Sequence, residues 1–270
     1  MISKNLDNVD LENFPVVIFG SGPAGITTAL ELENKNIKCL LIEAGGEDYT
    51  EKSQEFYKGK VVGDELIALS ESRLRQLGGT SGHWGGQVKP IEDYSFKLWP
   101  IKSKDLKAYR EKTCEVLSIK NQFRKAPLSN FFNQVEFQYS GVKFADKYKN
   151  HIKNSKNITL ILNTQLLHFV GDTSTTRYGL CKSGEIKKKI KAKYFILACG
   201  SIENSRILLW TQIKNNGFLH KDSPIGKYWM THPHVLGGRG IISRKKIEAK
   251  MKNNFLGYGN FMNFSSTKEL

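Results

Sequence analysis

The sequence predicts an α/β fold built on a parallel sheet, and three observations predict it. An apolar run, Phe14-Pro15-Val16-Val17-Ile18-Phe19, leads into the turn Gly20-Ser21-Gly22-Pro23-Ala24-Gly25. Helical apolar spacing follows at Ile26, Ala29 and Leu30. A second apolar run, Cys39-Leu40-Leu41-Ile42, ends in the acid Glu43. Strand, glycine turn, helix and acid-ended strand make a βαβ unit. Each glycine has a physical reason: Gly20 lets the chain turn tightly off the strand, Gly22 lets backbone approach a pyrophosphate, and Gly25 permits close helix–strand packing. With Pro23 and Ala24 opening the helix, phosphates would meet free N–H groups at its positive end. Glu43, followed by Ala44, is placed to accept hydrogen bonds from two ribose hydroxyls, and its charge would repel a 2′-phosphate. The pattern points to an adenosine-ribose cofactor such as FAD or NAD rather than NADP; a glycine-rich βαβ turn without a ligand is the plain structural alternative.

The rest of the chain reads in order. Glu47 to Arg73 is polar, a loop with a helical piece. The stretch Gly78-Gly79-Thr80-Ser81-Gly82-His83-Trp84-Gly85-Gly86 gathers five glycines, two hydroxyls, a histidine and an indole. Such a loop means backbone closely approaching something flat or charged. Lys102 to Ser118 reads as one helix, with Ser103 as N-cap and Leu106, Tyr109, Thr113 and Val116-Leu117 along one side. Asn121 to Asn154 is aromatic and lysine-rich with little period; its aromatics read as packing or as a cover over cofactor or substrate. Asn157 to Asn163 and Gln165 to Val170 read as β stretches, followed by a hairpin from Gly179-Leu180-Cys181 to Lys187–Lys193. Tyr194 to Ala198 reads as five buried residues ending in Cys199-Gly200. Glu203, Asn204 and Arg206 open the next helix, where Glu203 suits the positive end; capping and surface pairing would use the same side chains.

Composition narrows the class. A chain of 270 residues suits one large domain or two smaller ones. Charged residues at 25% and hydrophobic residues at 39% are globular values that exclude bulk disorder. Met1 to Asn13 lacks the basic and apolar parts of a secretion signal, and no apolar run approaches transmembrane length, so a soluble, cytoplasmic protein with no membrane span is expected. The net charge of +15 comes largely from dispersed lysines, with clusters at Lys187-Lys188-Lys189, Lys191 and Lys193 and at Arg244-Lys245-Lys246. No nucleic-acid module surrounds them, so they read as solvated surface and no nucleic-acid partner is expected. Cys39, Cys114, Cys181 and Cys199 lack CxxC spacing and read as free thiols. The close pair His232 and His234 has no acidic or thiol partner nearby, so no metal site is expected.

Four motifs occur in order: the fingerprint ending at Glu43-Ala44-Gly45, the loop Gly78 to Trp84, Trp99-Pro100-Ile101 before a helix, and Tyr194 to Leu209 with its Ala198-Cys199-Gly200 turn. Together, from about Pro15 to His234, they resemble the N-terminal part of the glucose-methanol-choline (GMC) family of FAD-dependent oxidoreductases, especially its pyranose-oxidase-like, sugar-oxidising branch. The resemblance implies a Rossmann-like FAD-binding domain of the two-dinucleotide-binding type over residues 1–234, a parallel sheet with helices and an added β-meander. It implies a helical and aromatic insertion around 103–154 and the start of an α+β substrate domain over 235–270.

The resemblance also implies roles. Gly79, Thr80 and Ser81 would lie against the pyrophosphate and flavin ring. The Ser-x-His-Trp arrangement ending at Trp84 resembles a loop whose histidine is bonded covalently to flavin; His83 would carry that bond, with noncovalent stacking and a plain structural hydrogen bond as alternatives. Backbone near Leu166 would read the adenine edge, and Ala198 and Gly200 would lie beside the ADP half. His232 is read as structural. The implied function is oxidation of a CH–OH group of a sugar, polyol or other alcohol by hydride transfer to flavin N5. The family takes its base from the C-terminal half, so no catalytic residue is expected before Leu270, and the chain reads as an N-terminal fragment that would meet a C-terminal partner chain and an electron acceptor. A nonenzymatic FAD-binding half is one alternative. An NAD-dependent dehydrogenase is another, which leaves the Gly78 loop and the Ile196 to Gly200 strand without a role.

Overall fold

Runs of four apolar residues with no polar alternation suit strands covered on both faces. The structure, a computed structural model, buries every residue of Val16–Phe19 and of Cys39–Ile42. It describes residues 1–7, 9–63, 68–127, 130, 132–230 and 263–266. Strands β1 (Ile2–Ser3) and β2 (Val16–Phe19), helix α1 (Pro23–Asn34) and strand β3 (Cys39–Ile42) come first. Helix α2 (Glu51–Gln54), strand β4 (Gln87–Val88), helices α3 (Ser103–Lys107) and α4 (Arg110–Val116), and strands β5 (Lys125–Pro127), β6 (Phe132–Val135) and β7 (Gln138–Tyr139) follow. Helix α5 (Phe144–Asn154) leads to β8 (Ile158–Ile161), β9 (Gln165–Gly171), β10 (Thr176–Ser183), β11 (Ile186–Ile190) and β12 (Tyr194–Leu197). Helix α6 (Ser201–Lys214) and strand β13 (Asn263–Ser266) complete the described elements.

The chain divides into two compact units, Met1–Trp84 with Lys143–Thr231, and Gly85–Val142 with His232–Leu270. The first is an α/β, Rossmann-like unit. Its five-stranded sheet has the order β1-β8-β3-β2-β12, and every neighbouring pair is parallel. Phe19 pairs with Ile42 on one side and Leu197 on the other, so three strands end level. Their C-terminal ends deliver Gly20, Glu43 and Ala198 to one edge, where parallel α/β sheets hold ligands.

An antiparallel meander, β9-β10-β11, follows the sheet. Its outer strand is shielded by α6: the Phe169 N–H donates to Thr211 Oγ1 (3.1 Å) and Asn215 Nδ2 donates to the Phe169 carbonyl (2.7 Å). Covering an edge in this way removes a template for unwanted pairing. Phe19, Phe169, Leu166, Cys181, Ile190 and Ile207 form a continuous core under this helix. The second unit holds α3, α4, an antiparallel sheet in the order β13-β6-β5 and the pair β4-β7.

Four sequence readings change. The N-terminal segment supplies a strand, because β1 pairs in parallel with β8 while Leu6 and Val9 enter the core. The expected helix from Lys102 to Ser118 is two helices joined by a turn at Ala108-Tyr109. Leu106 and Tyr109 are 39% and 65% exposed, so no packing holds the join helical. Ser103 opens α3 rather than capping it, and Asp105 accepts from the Lys102 N–H (2.9 Å). Within the stretch read as aperiodic, α5 repeats Phe144, Tyr148 and Ile152 every four residues, with Phe144 and Ile152 buried. The run Tyr194–Leu197 is half-exposed rather than buried, since β12 is the outer strand of the sheet and Tyr194 is 57% exposed. The readings at His232, His234 and Arg244-Lys245-Lys246 lie outside the described residues.

The Glu33 carboxylate at the end of α1 accepts from the Ser155 hydroxyl and contacts His151 Nε2. Burial alone would raise its pKa, but these hydrogen bonds and the His151 charge outweigh it, so the group stays below its ordinary 4.5. A depressed carboxylate stabilises the fold at every pH above its unfolded value and loses that contribution as pH falls through its folded value. Glu33→Gln is expected to flatten the fall of the thermal midpoint below about pH 4.5. An unchanged acid profile in that variant would show that the contact contributes nothing.

Candidate functional site

Three segments far apart in sequence meet at the C-terminal edge of the sheet. The first is the glycine turn. Gly20 adopts φ +99°, and a Cβ there would lie 2.5 Å from the Ala198 carbonyl oxygen. A Cβ on Gly25 would lie 1.8 Å from the Gly20 carbonyl oxygen, so both glycines exist for packing. Gly22 differs: a Cβ there meets nothing within 4 Å. Helix α1 is capped at Gly22 with Pro23 at its first position, and the bond from Ile26 N–H to the Gly22 carbonyl (3.0 Å) opens its ladder. The Ala24 and Gly25 N–H groups are left without intrahelical partners at the positive end.

Glu43 is 6% exposed, and its carboxylate is largely engaged by the protein. Oε2 accepts from the Ser21 N–H (2.9 Å) and hydroxyl (2.7 Å), and Oε1 from the Gly45 N–H (2.8 Å). A carboxylate has roughly four acceptor positions, so about one remains. Ala44 follows, half-buried.

The second glycine loop docks on the first. The Gly78 N–H donates to the Ser21 carbonyl (3.0 Å), and the Leu77 N–H to that of Gly46 (2.9 Å). Gly79–Gly82 is a single 3-10 turn, and a Cβ on Gly79 would lie 3.0 Å from the Gly22 Cα. The Ser81 hydroxyl is buried, donating to the Gly78 carbonyl (2.7 Å) and accepting from the Phe144 N–H (3.0 Å). Thr80 Oγ1 accepts from the Leu74 N–H (3.3 Å). The His83 side chain is exposed and has no hydrogen-bond partner among the described residues; the His83 backbone N–H donates to the Thr80 carbonyl (3.2 Å). Trp84 meets Phe144 edge-on at 5.9 Å.

The third segment follows β12. The Ala198 N–H donates to the Phe19 carbonyl (2.7 Å), and the Cys199 thiol sits 3.2 Å from the same oxygen. Asn204 shapes the turn, accepting from the Cys199 N–H (3.0 Å) and donating to the Leu197 carbonyl (3.2 Å). Burial, then the charges of Glu43 and Glu203, push the Cys199 thiol up to about 12, so it is no nucleophile at neutral pH. Gly200 caps α6 with φ +82° and open space beside it. Leu166 stands in β9 opposite Cys181, its side chain in the core.

The pairing read for Glu203 and Arg206 is present, but sequence reasoning missed Arg73 and the charged layer it completes beside these loops. Glu203, 8% exposed, accepts from Arg73 Nη1 (3.0 Å) and Arg206 Nε (2.7 Å). The Arg73 guanidinium also lies 4.0 Å from the centre of the Tyr57 ring. Burial, then the Glu43 and Glu203 charges, raise the Tyr57 phenol well above its ordinary value. Arg75 bonds Ser53 and Gln165, and its guanidinium lies over Phe56. Gln76 Oε1 is buried without a partner. Partners 130 residues apart, as Arg73 and Glu203 are, leave no periodic signal in a sequence.

The fold and the paired glycine turns define a Rossmann-like α/β protein whose two glycine loops meet at the C-terminal edge of its parallel sheet. No protein family matches the sequence, and no curated protein matches it. Among solved structures, pyridoxine 4-oxidase from Mesorbium loti superposes with a TM-score of 0.50 at 16% identity, over 72% of this chain and 50% of that one. An FAD-dependent oxidoreductase from Chaetomium thermophilum superposes with a TM-score of 0.51 at 11% identity, over 72% and 47%. The chain therefore shares the fold of these two structures over about 72% of its length and spans about half of theirs. No helix among the described residues is long and apolar enough to cross a membrane.

Proposed function

We propose that the chain binds FAD and forms the cofactor-holding part of a GMC-type oxidoreductase acting on a CH–OH donor, a sugar, polyol or other alcohol. The observation that carries this reading is the meeting of the two glycine loops, Gly78 N–H on the Ser21 carbonyl and Gly79 against Gly22. An NAD-dependent dehydrogenase has no need of the second loop.

The residues present fit FAD. The open space at Gly22 and the free Ala24 and Gly25 N–H groups would hold the pyrophosphate. The remaining acceptor position of Glu43 would take a ribose hydroxyl. When bound, FAD supplies the two-electron acceptor for hydride from the substrate carbon. Gly79, Thr80 and the exposed His83 would orient the flavin end. We assign the base that removes the hydroxyl proton to none of the described residues.

Titrating the purified chain with FAD is expected to give a one-to-one complex with oxidised-flavin absorbance. Bound NAD with no flavin bands would overturn the reading. Acid precipitation of that complex tests the His83 linkage: colour left wholly in the supernatant means that no covalent bond has formed.

A further inference from the structure

We infer that Arg73 and Glu203 form a latch that ties the second glycine loop to the start of α6, gripping the flavin side of the cofactor; this rests on the FAD reading above. Among the ion pairs described, this one joins the loop segment to α6. Between Leu69 and Gly82 the segment's strand-like contact is an isolated bridge from Gln76 to Gly46. The N-terminal part of the segment is held by Gln54, which accepts from the Arg75 N–H (3.2 Å) and donates to the Ser70 and Arg73 carbonyls, and by Arg75 on Ser53 and Gln165; the glycine part is held by the Gly78 N–H on the Ser21 carbonyl and by Ser81. The Arg73 side chain is 15% exposed and that of Glu203 11%, so the pair is shielded from water and salt. Arg73 is oriented before it pairs, by its Nε bond to the Leu69 carbonyl (3.2 Å) and by the Tyr57 ring.

The latch reaches the cofactor side through one peptide. Arg73 is followed by Leu74, whose N–H donates to Thr80 Oγ1 (3.3 Å). At the other end, Glu203 lies in the first turn of α6, immediately after the Ala198-Cys199-Gly200 turn. The pair therefore couples the two segments that face each other across the glycine turn. Arg206, whose side chain is 57% exposed, holds the second Glu203 oxygen. Glu203 consequently keeps a partner when Arg73 is removed, and a loss in that variant is not the cost of an abandoned buried charge.

A latch and a purely electrostatic role predict opposite signs for Glu203→Gln. Removing Arg73 leaves more negative charge beside a dianionic pyrophosphate, whereas neutralising Glu203 leaves more positive charge. If charge alone mattered, Arg73→Met would weaken FAD binding and Glu203→Gln would strengthen it. A latch is broken by either change.

The test is titration of wild type, Arg73→Met, Glu203→Gln and the double variant with FAD and, separately, with AMP, which lacks the flavin that the second glycine loop would meet. Each single variant is expected to weaken FAD about tenfold, the size of one charge-assisted hydrogen bond. The double variant should be no weaker than the singles, as for one shared interaction. AMP affinity should stay within about twofold in all of them, because AMP does not reach the second glycine loop that the latch holds. Tighter or unchanged FAD binding by Glu203→Gln would overturn the latch, and so would a parallel loss of FAD and AMP affinity, which marks general destabilisation. Failure of the wild-type chain to bind FAD would instead refute the proposed function.

Discussion

Gly22→Ala is expected to fold normally and to lose FAD. Its backbone is ordinary for an L-residue, φ −72°, and the added methyl group meets no protein atom within 4 Å. Gly22 caps helix α1, so the space the methyl fills is the space a pyrophosphate would need to reach the N–H groups of Ala24 and Gly25. Pushing the phosphates out by a methyl radius breaks several charge-assisted hydrogen bonds together. The dissociation constant is expected to rise by about 100-fold or more, roughly 3 kcal/mol. The melting temperature of the cofactor-free protein should move by less than about 1 °C, since the substitution touches no packed atom. Flavin fluorescence titration and a thermal melt on the same preparation check both halves. Wild-type FAD affinity in this variant would mean that the cofactor, if bound, lies elsewhere.

Gly25→Ala is expected to do the reverse, harming the fold itself. Its Cβ would sit 1.8 Å from the Gly20 carbonyl oxygen and 3.4 Å from the Ala198 side chain. Backbone cannot rotate away as a long side chain can, so α1 must lift from β2, opening a core that contains Ile26 and Ala29 at 0% exposure. Overpacking against a fixed wall costs about 3 kcal/mol or more. For a chain of this size that is a fall of roughly 6–12 °C in melting temperature, or failure to accumulate as folded protein. A melt within about 2 °C of wild type would show that the helix can shift at little cost. Two glycines three residues apart thus separate binding from folding, a distinction that spacing alone does not draw.

Legibility in the sequence followed the range of the interaction. The βαβ unit was readable because β2, the turn, α1 and β3 lie within thirty residues and every signal is local: apolar runs, glycines, Pro23 at the helix start. The hairpin of β10 and β11 was readable from Gly184 and its flanking strands. Helix α5 was hidden because its apolar positions are diluted by lysine, although Phe144, Tyr148 and Ile152 carry the four-residue spacing. Strand β1 had no signal, since two residues pair in the sheet only because β8, about 160 positions away, is there to receive them.

The same division applies to the site. Sequence by itself determined the fold class, the glycine turn with its acid at Glu43, and the presence of a second glycine loop, since each depends on residue type within a short window. Tertiary structure decided that Gly79 lies against Gly22, that Glu43 is mostly engaged by Ser21 and Gly45, and that Glu203 is buried between Arg73 and Arg206. It also decided that Tyr194–Leu197 is an outer strand, because exposure depends on how many neighbours a strand has and not on its own residues. Hydrogen bonds and ion pairs between distant segments form only after sheet order has brought them together, and no local pattern encodes that order.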